Sequence, residues 1–192
     1  MNILIINASP RRNGVTSGLL GEMSSNMDKG HVVETVRIDD LAMRPCIGCL
    51  KCRPDKPCIL PPDGAQSLAE KIRWADLLVF GVPVYWGNMP GTLKIFFDRN
   101  VPLFEYCEAR SVRYIPLPRL KGKAAMLVVT AGCPFPYSLL PSQITGTVRS
   151  LKTVLNAGGV KVLSVLRVSD AFEFEKKKDA YMRKAARLAR SI

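Results

Sequence analysis

The run Asn2-Ile3-Leu4-Ile5-Ile6-Asn7-Ala8, followed at once by Ser9-Pro10-Arg11-Arg12-Asn13-Gly14-Val15-Thr16-Ser17, decides how this chain folds. A near-continuous aliphatic run rich in β-branched residues marks a strand buried on both faces, as in a parallel sheet covered by helices. The polar, turn-rich loop then gives way to Leu19, Leu20, Met23 and Met27, which share one helical face as far as about Asp28. Strand, loop and helix in this order place hydroxyls and an arginine where the N–H groups of a helix start favour an anion. A phosphate group fits there, and so does a plain N-capped turn. No G-K-[ST] follows, so this is not a nucleotide P-loop.

The same alternation continues along the chain. Val32 to Ile38 reads as a second strand, with His31, the only histidine, at its entry. Gly64 to Trp74 is a helix with Ala65, Leu68, Ala69 and Ile72 on one face. Leu77 to Val84 is a third buried strand, and a helix begins near Thr92 with Leu93, Phe96 and Phe97. Ala124 to Thr130 and Lys161 to Val168 are the fourth and fifth strands. Residues 142–157 can be helical, and Glu173 to Arg190 form a last helix whose apolar stripe is Phe174, Tyr181, Ala185 and Leu188. Residues 101–122 read as an irregular insertion, a surface loop or a subunit contact. Five strands alternating with helices predict one doubly wound α/β domain over residues 1–192. Ligands of such sheets bind beyond the carboxyl ends of the strands. Those ends supply Ser9–Ser17, Pro83–Asn88 and Thr130–Cys133.

Composition narrows the function classes. With 192 residues, 47% hydrophobic and 23% charged, the chain can bury a full core without resembling a membrane protein. The first residues lack the basic flank and cleavage site of a signal peptide, which predicts a cytoplasmic protein. The net charge of +12 raises nucleic acid as a partner, yet the basic residues are spread, dense only from Lys176 to Lys178 and on to Arg190. A solvated helix face accounts for that run, and the field would equally attract anionic cofactors or an acidic electron carrier.

Residues 41–62 form a cysteine-rich loop, in which Cys46, Cys49, Cys52 and Cys58 stand at C-x2-C-x2-C-x5-C. Pro45, Pro54, Pro57, Pro61 and Pro62 exclude regular helix or strand across it. Thiolates bunched this closely suit an iron–sulfur cluster first and zinc second, with a thiol-rich loop free of metal as the plain alternative. Of the other cysteines, Cys133 lies on the predicted ligand rim or packs as a small hydrophobe, and Cys107 suggests no role.

At this point the chain resembles a family. Ala8 to Thr16 is similar to the FMN phosphate loop of the flavodoxin-like, NADPH-dependent FMN reductases. Pro83-Val84-Tyr85-Trp86-Gly87-Asn88-Met89-Pro90-Gly91, with Leu93-Lys94 and Phe97-Asp98-Arg99 behind it, resembles that family's flavin-ring segment. The compact cysteine loop resembles its iron–sulfur flavoprotein branch. Val15, where the family carries a small polar residue, and Pro61-Pro62-Asp63-Gly64, where it carries an acidic pair, are departures. The resemblance implies a flavodoxin-like sheet of order 2-1-3-4-5 with helices on both faces. It implies FMN held by Ser9, Arg11, Asn13, Thr16 and Ser17 at the phosphate, and by Pro83, Val84, Tyr85, Trp86, Gly87, Asn88, Thr130, Ala131 and Gly132 around the ring. It further implies a [4Fe–4S] cluster on Cys46, Cys49, Cys52 and Cys58, and a homodimer or homotetramer. Hydroxyls and a guanidinium suit a dianionic phosphate, and Gly87 and Gly132 would let backbone approach a flat ring.

The leading expectation is an FMN-dependent oxidoreductase that passes electrons between cluster, flavin and an acceptor such as a quinone. The flavin carries the chemistry, so no protein nucleophile is required. Its donor would be a nicotinamide or a ferredoxin-type carrier. Two rivals are a cluster-free NAD(P)H-dependent FMN or quinone reductase, and a non-catalytic zinc- or nucleic-acid-binding protein.

Overall fold

The computed structural model describes residues 1–53, 55–106 and 117–192. Strands β1 (Asn2–Asn7), β2 (Val32–Arg37) and β3 (Leu77–Pro83) are followed by the short β4 (Glu105–Tyr106) and β5 (Leu117–Pro118), then β6 (Ala124–Thr130) and β7 (Lys161–Val168). The helices are α1 (Val15–Ser25), α2 (Gly64–Trp74), α3 (Gly91–Arg99), α4 (Val101–Phe104), α5 (Ile144–Ala157) and α6 (Lys178–Ala189). Five strands pair in parallel in the order β2-β1-β3-β6-β7, which is the predicted 2-1-3-4-5 once the small β4–β5 pair is set aside.

The period of two along each strand builds the two halves of the core. Leu4, Ile6 and Ala8 face one layer with Leu78, Phe80, Val82, Leu127 and Val129, against α2, α3 and α5. Ile3 and Ile5 face the other with Leu77, Val79, Met126 and Val128, against α1 and α6. At Gly81 a Cβ would lie 2.3 Å from Leu20 Cδ1, so glycine lets α1 settle onto β3.

Two expectations change. Residues 101–122 are not irregular at their described ends: α4 buries Leu103 and Phe104, and the Phe104 ring packs edge-on against Phe97 at 5.4 Å. Glu105–Tyr106 then pairs antiparallel with Leu117–Pro118. Burial of Phe104 in the aromatic cluster draws this segment into the core. Cys107 and the centre of the proposed subunit contact lie outside the described residues. The last helix also starts later than predicted. Residues 171–177 form a tight 3-10 turn, kinked at Glu173, that buries Phe174 against Tyr181 (5.9 Å between stacked rings) before α6 begins.

The carboxyl ends of the strands gather on one edge, with Asn7 opposite both Arg37 and Gly81, and Thr130 opposite both Pro83 and Val168. From β1 the chain steps outward to β2 and returns on the other side as β3. The loops after β1 and β3 therefore diverge at a topological switch point. His31 sits at the opposite end beside the amino terminus, 3.4 Å from the Met1 nitrogen.

Candidate active site

The loop after β1 is organised by Asn7, a buried polar side chain at the strand's last position. Its Oδ1 accepts the Ser9 N–H at 2.9 Å and its Nδ2 donates to Ser17 Oγ at 2.9 Å. Ser17 Oγ in turn donates to the Arg11 carbonyl at 2.8 Å. Arg37, from the end of β2, donates to the Ser9 carbonyl at 3.1 Å, and Arg12 pairs with Asp40 at 2.5 Å. The loop is thus tied down on both flanks and curls over the start of α1. Gly14 caps that helix with no side-chain hydrogen bond, which leaves a partial positive charge facing the loop. Thr16 does not turn its hydroxyl to the loop: Thr16 Oγ1 and Thr130 Oγ1 meet at 2.8 Å in the interior and tie α1 to β6.

The second loop is a tight reversal. Tyr85 and Asn88 exchange both backbone hydrogen bonds at 2.9 Å. Trp86 (φ 52°) and Gly87 (φ 72°) between them are both left-handed. That is the geometry of a type I′ turn, where Asn-Gly is the favoured pair. Tryptophan in this region is strained, and here it is 99% exposed. A bulky residue held in such a conformation at a ligand rim points to function rather than packing. The absent side chain of Gly87 has a use within the protein itself: a Cβ there would lie 2.7 Å from the Ser142 backbone, so glycine makes room for the chain before α5.

The third loop follows β6. Ala131 N–H donates to the Val168 carbonyl at 2.8 Å, and Ala171 N–H returns to the Ala131 carbonyl at 2.9 Å. This brings Phe172 over Gly132, where a Cβ would fall 2.3 Å from the ring.

Together the three loops enclose a cleft of about 240 Å³. Ser9, Arg11 and Thr16 line its polar end; Pro83, Val84, Tyr85, Thr130 and Gly132 line the rest. Asn13, Ser17, Trp86, Gly87, Asn88 and Ala131 of the predicted set are not in its wall. Ser17 and Ala131 support it through the bonds above, and Trp86 stands exposed beside Tyr85. Sequence reasoning missed Asn7, Arg37 and Phe172. Phe172 was within reach, because Ser169-Asp170-Ala171-Phe172 follows the fifth strand on the same edge.

The cysteine loop is pinned at both ends. At its base, Asp63 caps α2 in a capping box with Gln66, and its Oδ2 accepts the Arg44 N–H at 3.0 Å and Arg99 Nη1 at 2.9 Å. Burial pushes the Asp63 carboxyl up, but the N–H donors of Arg44 and Ala65 and the Arg99 guanidinium outweigh it and hold the group below the usual carboxylate range. At its tip, Arg53 pairs with Glu105 at 3.3 Å, and Arg119 grips Asp55 at 2.5 and 3.0 Å. Cys46 and Cys49 are exposed, whereas Cys52 and Cys58 are half-buried. Burial raises the Cys52 thiol above its ordinary value, and the nearby Cys58 and Cys46 add to this. Among the described residues no three Cys, His, Asp or Glu side chains converge as ligands of one metal ion. A single zinc would need its thiolates only about 4 Å apart; a cubane cluster spreads them over a larger body. A second cavity of about 360 Å³, bordered by Cys52, Cys58 and Arg99, shares no lining residue with the cleft. Cys133 is half-buried, and its carbonyl accepts the Asp170 N–H at 3.0 Å.

One family model matches along the whole chain: residues 1–192 match the family described as having a flavodoxin-like fold. The chain belongs to the flavodoxin-like fold family. Two curated relatives are iron–sulfur flavoproteins. That of Methanocaldococcus jannaschii is 33% identical over 104 residues, 54% of this chain and 53% of that protein. That of Methanosarcina thermophila is 35% identical over 104 residues, 54% of each. The chain thus spans about half the length of the curated relatives it matches. Among solved structures, the NAD(P)H:quinone oxidoreductase from Methanothermobacter marburgensis superposes with a TM-score of 0.72 at 20% identity, over 99% of this chain and 96% of that one, a likeness of fold. Among the described residues of this flavodoxin-like protein, no helix is long and apolar enough to cross a membrane.

Proposed function

We propose that this flavodoxin-like protein is an FMN-dependent oxidoreductase that passes electrons between FMN, a [4Fe–4S] cluster on Cys46, Cys49, Cys52 and Cys58, and a small acceptor of quinone type. The observation that carries the reading is the cleft itself, with an uncapped α1 start and Ser9 and Arg11 at one end and an apolar slot of Val84, Tyr85, Gly132 and Phe172 at the other. That donor set suits a phosphate, and the slot suits a flat ring, so the residues fit FMN in kind. The names of the two iron–sulfur flavoproteins support the cluster, as do four thiols on one pinned loop.

Bound FMN would supply the hydride and electron transfer that side chains cannot perform. The chain's own part is positional. The α1 start, Ser9 and Arg11 would anchor the phosphate, while Asn7 and Arg37 hold the loop that carries them. Tyr85 and Phe172 would flank the ring and exclude water, and Trp86 would cover its outer face. A nicotinamide donor is supported by the name of the M. marburgensis relative in fold, a ferredoxin-type donor by the positive charge of +12. Phe135, Tyr137, Leu140, Trp86 and Phe172 are all exposed along this edge, which supports assembly into a homodimer or homotetramer. A second reading, a cluster-free NAD(P)H-dependent reductase, is supported by the name of the M. marburgensis relative in fold.

The test is a visible spectrum of anaerobically purified and reconstituted protein, with flavin, iron and sulfide assayed on the same sample. One flavin with about four irons and four sulfides per chain is expected. Flavin without iron selects the cluster-free reductase. Failure to retain FMN overturns both.

A further inference from the structure

Arg99 is the last residue of α3, and its side chain is fully buried. Only Nη1 is used: it donates to the Arg44 carbonyl at 2.7 Å and to Asp63 Oδ2 at 2.9 Å. Nε and Nη2 are equally buried, yet they have no hydrogen-bond partner among the described residues. Leaving charged donors unpaired in the interior costs more than the net gain of an ordinary hydrogen bond, so the orphaned edge implies an acceptor. Arg99 lines the 360 Å³ cavity that Cys52 and Cys58 also border; Lys56, Arg73 and Arg119 line it too, with the carboxylates Asp55, paired to Arg119, and Glu70. Cys58 and the guanidinium share the wall of this cavity, and no hydrogen bond between them is formed among the described residues. A neutral thiol is a weak acceptor. A thiolate, or an inorganic sulfide beside it, is a strong one, and a cluster with four thiolates carries net negative charge.

We propose that Arg99 is the positioning residue of the cluster site: Nη1 locks the two ends of the cysteine loop, while Nε–H and Nη2–H donate to the Cys58 thiolate and to cluster sulfide. The proposal rests on the reading that the four cysteines hold a cluster. Its consequence is redox tuning. One-electron reduction adds negative charge to the sulfurs, and hydrogen bonds to sulfur stabilise that charge, which raises the reduction potential.

The experiment compares reconstituted holoprotein of wild type, Arg99→Gln, Arg99→Lys and Asp63→Asn. The cluster midpoint is followed by electron paramagnetic resonance in a redox titration, and iron release to a chelator is timed. Asp63→Asn loosens the loop but keeps the guanidinium; Arg99→Lys has one nitrogen, which Asp63 and the Arg44 carbonyl claim. The expected result is a more negative midpoint and roughly tenfold faster iron release in both Arg99 variants, with the Asp63→Asn midpoint close to wild type. If Arg99→Gln does not fold, Arg99→Lys decides by the same criteria. Equal midpoints in wild type and a folded Arg99 variant, or a shift in Asp63→Asn as large as in Arg99→Lys, would reduce Arg99 to a structural clamp and overturn the proposal. Wild type that takes up no iron or sulfide overturns the cluster reading itself, and that is seen before any variant is made.

Discussion

The Arg99 guanidinium reaches the Asp63 carboxylate at 2.9 Å across 36 residues of sequence, and the same carboxylate receives the Arg44 N–H. Residues 44 and 63 flank the cysteines, so this one contact closes the base of the loop. Asp63→Asn should cost about 3 kcal/mol, the low end for breaking a buried pair, because Asp63 keeps slight solvent access. Its carboxyl is held below its unfolded value near 3.9. Between the two values the unfolded chain binds more protons, so stability rises with pH there. The wild-type advantage over Asp63→Asn should be complete above about pH 5 and shrink as pH falls through 4 and below. Urea unfolding at a series of pH values checks this, and a difference that does not narrow in acid would refute the ion-pair account.

Trp86 and Gly87 make opposite predictions from one turn. Trp86→Asn relieves a left-handed tryptophan and supplies the residue pair that a type I′ turn prefers. The apoprotein should gain about 1 kcal/mol, seen as a rise of about 2–4 °C in Tm. Flavin binding should weaken about fivefold through loss of an aromatic contact. Calorimetry and a fluorescence titration with FMN measure the two effects; a gain in both would remove Trp86 from the flavin site.

Gly87→Ala combines a φ of 72° with a Cβ 2.7 Å from the Ser142 backbone, which cannot swing aside. The expected loss is about 2–4 kcal/mol. A lower urea midpoint at unchanged slope would report it. A variant as stable as wild type would mean that the chain before α5 is not packed on this turn.

Asn7 tests the phosphate end. Asn7→Ala strands the buried Ser9 N–H and removes a half-buried partner of Ser17 Oγ, and should cost about 1–3 kcal/mol. Asn7→Asp instead places a carboxylate under the loop and should weaken FMN more than tenfold while leaving riboflavin affinity nearly unchanged, since only FMN carries the phosphate. Parallel titrations with the two flavins decide it. Equal weakening of both would locate the phosphate elsewhere.

Much of this protein is legible in its sequence. The aliphatic runs at residues 2–7, 77–83 and 124–130 state their burial directly, because a strand covered on both faces admits few other residues, and the strand boundaries followed closely. The three rim loops follow from the rule that ligands sit at the carboxyl ends of such strands. The Asp63–Gln66 capping box emerged only with the structure, since Pro61-Pro62-Asp63-Gly64 stood out in the sequence as a departure from the family pattern. What sequence could not supply is which side chain meets which across the chain. Thr16 lines the cleft as expected, yet its hydroxyl meets that of Thr130, 114 residues away. Gly87 looked like room for a ring, and its closeness to the Ser142 backbone had no trace in the sequence. Arg99 drew notice only through its resemblance to the flavin-ring segment, and became the buried link between the cysteine loop and α3 only when the fold brought residues 44, 63 and 99 together. Local spacing dictates secondary structure and the edge where loops gather. The partner of a buried polar group is set by long-range packing, which has no period to read along the chain.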